Sequence, residues 1–143
     1  MYIGMNIWQY KAGAKVEIPL LQGHVMAGFP SPAEDYVDQK LDLNDFIVKH
    51  PESTYFVKVS GNSMIGAGIF AGDMLVVDRY IAACSGQIVL AVLDGEFTVK
   101  RYIKKGNVVV LEPDNPKYQK ITLQEGQELT IWGVVIKVLH DPV

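Results

Sequence analysis

The chain has 143 residues and a mass of 15.9 kDa, which is the length of one domain with a sizeable core. Its 13 Lys and Arg and 16 Asp and Glu give a formal net charge of −3. A negative net charge repels the phosphates of nucleic acid and so disfavours binding to it. The single cysteine, Cys84, excludes an internal disulfide, and no apolar run reaches the roughly 18 residues of a membrane span. We therefore expect a soluble, cytoplasmic protein without a membrane anchor.

The first 40 residues differ from the rest of the chain. They contain seven glycines and prolines and keep no sustained period of 2 or 3.6. We expect an N-terminal arm over residues 1–40 with one short strand near Val16–Leu21, followed by a β domain over residues 41–143. A mobile terminus without a role is the alternative for the arm.

A short helix is predicted at Asp42–Val48. Asp42 is a suitable N-cap, and Leu43 and Ile47 fall on one helical face. Pro51 then ends the helical pattern.

After this helix the sequence is typical of strands. Segments rich in Val, Ile and aromatic residues alternate with Gly, Pro, Asn and Asp. The predicted strands lie in YFVKVSG, DMLVVDRYI, QIVLAVLDGEFTVKRYIKKGNVVVLEP and LTIWGVVIKVL. Asp94-Gly95 favours a tight primed turn, so residues 88–93 and 96–103 should form a hairpin. Gly106-Asn107 starts a second one.

Ser63 raises the first functional question, because it stands in VSGNSMIGAG directly after a predicted strand. Gly61 removes a Cβ that would obstruct a close approach, and free backbone amides beside a hydroxyl are what an oxyanion hole requires. Serine and glycine are also ordinary turn residues, so the stretch alone favours a turn.

A nucleophilic serine needs a base. His24 lies in the arm, His50 precedes a proline, and His140 is three residues from the C-terminus, which disfavours a Ser-His-Asp triad. A lysine, with an ordinary pKa near 10.4, can serve only where apolar surroundings lower that pKa. Lys100 is the best candidate, in the strand FTVKRY.

Strand alternation places Lys100 on one face and Arg101 on the other. If the face of Lys100 is the covered one, Arg101 points to solvent. The alternative is that both are surface charges of a hairpin. The cluster KRYIKK, Lys100–Lys105, is also the densest basic stretch, but its alternating charges favour a solvated strand face over nucleic-acid binding.

The stretches VSGNSMIGAGIFAGDMLVVD and DGEFTVKRY closely resemble the self-cleaving LexA/UmuD family, and its UmuD-like branch in particular. They contain a Gly-x-Ser-Met motif, a Gly-Asp-x-x-x-Val-Asp strand and a later lysine, and the spacing of 37 positions from Ser63 to Lys100 suits that family. The resemblance covers roughly Gly28–Leu139.

The resemblance implies a mainly β fold, a LexA/signal-peptidase-like curled antiparallel domain with one short helix and a flexible N-terminal arm. It further implies a Ser-Lys dyad, in which Ser63 attacks a peptide carbonyl and neutral Lys100 takes the proton. The backbone amides of Ser63 and its neighbour Asn62 would hold the oxyanion. It implies no cofactor and no metal. Signal peptidases share a related fold but need a membrane anchor.

The substrate implied by the resemblance is the chain itself, cut between Ala27 and Gly28 in HVMAGFPSP, which would release Met1–Ala27. The implied setting is the SOS response to DNA damage. The expected partners are a second copy in a homodimer, the RecA filament on single-stranded DNA, and a UmuC-like error-prone polymerase for translesion synthesis. Only 27 residues precede Gly28, so a helix-turn-helix and direct sequence-specific DNA binding are not expected.

The sequence departs from the family pattern at Gly66 and Ala71, where relatives commonly carry an acid. These differences put the local turn and the cleavage rate in question. Two other functions stay open from sequence: a non-catalytic polymerase-binding module, and a LexA-like regulator without its DNA-binding domain.

Overall fold

The computed structural model describes residues 6–21, 27–28 and 37–143. The chain divides into two compact units, Ala12–Lys49 and a larger one composed of Met1–Lys11 with His50–Val143. The division at residue 40 into an arm and a β domain stays a prediction. No helix in the described ranges has the length and hydropathy needed to cross a membrane.

Ten strands are found in the described part of the chain. They are β1 (Asn6–Gln9), β2 (Glu17–Leu21), β3 (Val37–Asp42), β4 (Thr54–Lys58), β5 (Met74–Asp78), β6 (Ile88–Leu93), β7 (Glu96–Lys105), β8 (Val108–Glu112), β9 (Ile121–Thr122) and β10 (Leu129–Leu139). The larger unit contains one antiparallel sheet of eight strands in the order β1-β4-β5-β10-β6-β7-β8-β9. The prediction of a mainly β, antiparallel fold is confirmed.

The smaller unit contains the antiparallel pair β2 and β3 followed by helix α1 (Leu43–Ile47). Asp42 caps the helix, because its carboxylate accepts a hydrogen bond from the Asn44 amide at 3.1 Å. The same carboxylate oxygen accepts from the Val16 amide at 3.2 Å, which joins the start of the helix to the chain before β2. The predicted helix and the predicted strand near Val16–Leu21 are both confirmed.

The hairpin predicted around Asp94-Gly95 is present between β6 and β7. Asp94 has φ 48° and Gly95 φ 84°, the two positive angles of a primed turn. The second hairpin, β7 with β8, turns at Gly106. Together these turns fix the register of β7, the strand that carries Lys100.

The core beneath the sheet combines strand residues with the loop that follows β4. Its buried side chains include Val57, Leu75, Val77, Leu90 and Val99 from the strands. Met64 and Ile69 join them from the loop, so the loop is attached to the core on both sides of its helical turn, Ile65–Ala67.

Candidate active site

The loop between β4 and β5 presents Ser63 at the surface. Met64 and Ile69 are 3% and 1% exposed and anchor the loop in the core. Gly61 has a backbone φ of 85°, a left-handed conformation that residues with a side chain adopt only with strain. This conformation lets the chain turn sharply before the serine. Ser63 itself is partly exposed, so its hydroxyl is held by buried neighbours yet open to a substrate.

Lys100 lies opposite this loop, on β7. Its Nζ is 3.0 Å from Ser63 Oγ, 2.8 Å from Thr98 Oγ1 and 3.1 Å from the Val99 carbonyl oxygen. Burial lowers the pKa of Lys100 from its ordinary value of 10.5, because the low-dielectric surroundings disfavour the charged amine. The sequence-based hypothesis that Lys100 is poised beside Ser63, and is not a free surface charge, agrees with this geometry.

The contacts of Lys100 suit both of its protonation states. A charged amine donates its three protons to the hydroxyls of Ser63 and Thr98 and to the Val99 carbonyl. A neutral amine keeps the last two bonds and turns its lone pair to the proton of Ser63. No rearrangement of the lysine is needed between the two states.

A narrow cleft runs beside the two side chains. Its volume is about 130 Å³, and its walls come from the serine loop, including Val59 and Ser60, and from the start of β7 at Phe97. A space of this size admits small side chains. The amides of Asn62 and Ser63, the predicted oxyanion donors, do not donate to any backbone carbonyl among the described residues.

A second loop, directly after β8, holds the serine loop from the other side. The Gly66 amide donates to the Asp114 carbonyl at 2.7 Å, and Asn115 Nδ2 donates to the Asn62 carbonyl at 2.8 Å. Asn115 is only 7% exposed. The backbone is thus tied down one residue before Ser63 and three residues after it. Asp114 and Asn115 were not predicted as site residues, since in sequence they read as part of an ordinary turn.

Arg101 supports this second loop. Its Nη2 is 2.6 Å from Asp114 Oδ2, and its Nη1 donates to the Gly86 carbonyl at 2.8 Å. The hydrogen bond to Asp114 raises the pKa of the Arg101 guanidinium. Arg101 is on the opposite face of β7 from Lys100, as strand alternation predicted; its side chain is 31% exposed and is paired with Asp114.

Gly66, one of the two departures from the family pattern, has no room for a side chain. A Cβ built there would lie 2.6 Å from the Asp114 carbonyl oxygen. The absence of a side chain lets the Gly66 amide make its short bond to that same oxygen, and Ser63 still meets Lys100. Ala71, the second departure, is exposed.

Two histidines have carboxylate partners that the sequence did not reveal. His50 Nδ1 bonds to Asp78, and His140 Nδ1 lies 2.6 Å from Asp73 Oδ1. Neither of these two histidines is hydrogen-bonded to Ser63 in the described part of the chain. The sequence positions of the histidines had also disfavoured a Ser-His-Asp triad. His24 lies outside the described residues.

The predicted cleavage site belongs to the smaller unit. Ala27 and Gly28 form an exposed turn, and Gly28 has φ 93°. In sequence this turn falls between β2 and β3.

Residues 19–136 match the profile of the family described as Peptidase S24-like. The chain belongs to this family. ImpA of Salmonella typhimurium is 44% identical over 124 residues, covering 85% of this chain and 83% of ImpA. MucA of Escherichia coli is 39% identical over 142 residues and 97% of each chain. The LexA repressor of Shewanella baltica is 39% identical over 125 residues, 87% of this chain and 60% of the repressor.

Membership in the Peptidase S24-like family confirms the resemblance found in the sequence. It makes the chain a serine peptidase of the self-cleaving type and supports the self-cleaving function in the SOS response that the resemblance implied.

Proposed function

We propose that the chain cuts its own peptide bond between Ala27 and Gly28, with Ser63 as the nucleophile and Lys100 as the general base. The observation that carries this proposal is the 3.0 Å contact between Lys100 Nζ and Ser63 Oγ, together with the lowered pKa of the lysine. A base must be within hydrogen-bond reach of the proton it removes and must be neutral near the working pH.

In the first step neutral Lys100 takes the hydroxyl proton as Ser63 Oγ bonds to the Ala27 carbonyl carbon. The amides of Asn62 and Ser63 donate to the oxyanion that develops on the Ala27 oxygen. The Lys100 ammonium then gives its proton to the Gly28 nitrogen, the Ala27–Gly28 bond breaks, and an ester joins Ala27 to Ser63.

Water completes the reaction. Lys100, neutral again, takes a proton from a water molecule that attacks the ester carbonyl, and returns it to Ser63 Oγ as the ester bond breaks. Ala27 becomes a free carboxylate and Ser63 is restored. Thr98 Oγ1 and the Val99 carbonyl hold the lysine throughout, because neither bond involves the transferred proton.

The size of the cleft supports the choice of substrate. About 130 Å³ beside Ser63 suits the side chain of Ala27 and the bare Cα of Gly28. Their exposed turn leaves the bond accessible, and carrying the substrate on the same chain replaces diffusion by a high effective concentration.

We further propose the cellular setting that the relatives suggest. The chain acts as a cytoplasmic homodimer, is stimulated by a RecA filament on single-stranded DNA, and in its cut form joins a UmuC-like error-prone polymerase. The acidic net charge of −3 suits a role that runs through protein partners.

The test is incubation of the purified protein at alkaline pH, followed by mass spectrometry. We expect a fragment that begins at Gly28, faster production of it as pH rises, and none from Ser63→Ala or Lys100→Ala. Lys105→Ala, a change at the exposed end of β7, is the matched control for Lys100→Ala and should cut like the parent. An intact mass after this treatment and after incubation with RecA, ATP and single-stranded DNA would refute the proposal. Full function in cells for both inactive variants would instead favour the non-catalytic module.

A further inference from the structure

The edge strand of the large sheet comes from the segment before the proposed cut. Strand β1 pairs with β4 from Asn6 opposite Lys58 to Gln9 opposite Tyr55, and the Tyr10 amide extends the pairing by donating to the Thr54 carbonyl at 3.0 Å. With β1 in place, the outer edge of β4 has its backbone groups paired.

Side chains add to this pairing on both faces of β1. Ile7 packs against the core cluster that contains Val57 and Met64. On the other face, the Tyr10 ring meets the Phe56 ring edge-on, with 6.1 Å between centroids. Strand β1 is therefore attached by an apolar anchor as well as by its backbone.

A second strand from the same segment is paired in the smaller unit. Strand β2 runs antiparallel to β3, with Glu17 opposite Asp42 and Leu20 opposite Gln39. The Val16 amide and Ala14 carbonyl add bonds to residues 42 and 44. The Ala27–Gly28 bond falls in the connection between these two strands.

We propose that cutting at Ala27–Gly28 nicks the chain without releasing the fragment Met1–Ala27. The fragment carries β1 and β2, whereas their partners β3 and β4 both belong to the remainder, and hydrolysis of a bond between β2 and β3 breaks none of these pairings. This inference rests on the proposed function. It differs from the release that the sequence resemblance implied, because departure of the fragment becomes a separate, concentration-dependent step.

The experiment compares the cut protein under native and denaturing conditions. After self-cleavage, a denaturing gel reports whether the bond is cut, and native size-exclusion chromatography reports whether the fragment stays bound. Trp8 and Tyr10 make the fragment detectable by absorbance. We expect co-elution with residues 28–143, and separation in denaturant. Complete separation of the cut pieces under native conditions would overturn the inference.

A foreign cut separates this inference from the proposed chemistry. In Ser63→Ala, residues 22–36 are replaced by the recognition sequence of a site-specific viral protease, and that protease makes the nick. Co-elution of the pieces supports retention whether or not the chain cuts itself, and their separation refutes it. Failure of self-cleavage in the parent would refute only the proposed function.

Ile7→Asp tests the part played by β1. Loss of the partly buried Ile7 anchor should weaken retention about tenfold or more, measured as the concentration at which half of the fragment is lost on dilution. Ile18→Asp is the control: it makes the same change in the same fragment, but at an exposed position of β2. Thermal melting of the uncut variants verifies that both fold. Equal retention in the two variants would show that β1 does not hold the fragment.

Discussion

Gly66→Ala should disturb the serine loop more than the size of a methyl group suggests. The new Cβ would lie 2.6 Å from the Asp114 carbonyl oxygen, where real contacts are at least 3.0 Å, so one of the two loops must move by roughly 0.4 Å. Overpacking of this kind costs about 1–3 kcal/mol. Because small misplacements near reacting groups are costly, we expect self-cleavage to slow by about tenfold.

Two assays test this prediction. Differential scanning calorimetry should show a melting temperature lower by several degrees, since about 1 kcal/mol corresponds to roughly 4 °C in a chain of this size. The rate of appearance of the fragment that begins at Gly28 reports the activity. Gly13→Ala is the matched control, because a Cβ at Gly13 meets nothing within 4 Å. A Gly66→Ala protein with the melting temperature and cleavage rate of the parent would refute the reasoning.

Three further changes probe the groups around the serine. Since the folded protein lowers the pKa of Lys100 below 10.5, the unfolded chain binds more protons between the two pKa values, and stability gains with rising pH in that window. Urea unfolding at several pH values should therefore show the parent gaining stability relative to Lys100→Met from neutral pH towards 10.5; a constant difference would contradict this. Asn115→Ala should lower the free energy of unfolding by about 1–2 kcal/mol and slow cleavage, because it removes a buried hydrogen bond to the serine loop, whereas Asn107→Ala in an exposed turn should do neither. Arg101→Gln removes the partly exposed pair with Asp114 and should cost no more than about 1 kcal/mol, with a smaller effect at high salt; a salt-independent loss would indicate that packing dominates.

Local signals in the sequence predicted the β6–β7 hairpin and the short helix. Asp94-Gly95 determines the β6–β7 hairpin, because few residue pairs favour the two positive φ angles of its turn. Asp42 marks the start of the helix, because its carboxylate accepts a hydrogen bond from the amide only two positions further along the chain. These features depend on neighbours in the chain, so they are visible without knowing the fold. Its strand context marked Lys100 as the best candidate base, but the pairing of Ser63 with Lys100, 37 residues apart, was implied by the family resemblance.

The supports of the site could not be predicted in the same way. Asn115 bonds to the backbone 53 residues earlier, and such a contact leaves no period or spacing in the sequence. Strand β1 has only four residues and becomes a strand by pairing with the edge of β4. Strand β2 was predicted despite its Pro19, but its partner β3, which begins 16 residues after β2 ends, was not. Long-range pairing, more than local propensity, determines these elements.

The position of β1 also bears on solubility. Without β1, the strand TYFVK of β4 would present a row of unpaired backbone groups flanked by aromatic and β-branched side chains, the kind of edge along which sheets of separate molecules join. Lys58, at one end of β4, is the one charged residue of that strand. The four residues Asn6–Gln9 thus protect the protein against aggregation through this edge, and a preparation stripped of them should precipitate at lower concentration.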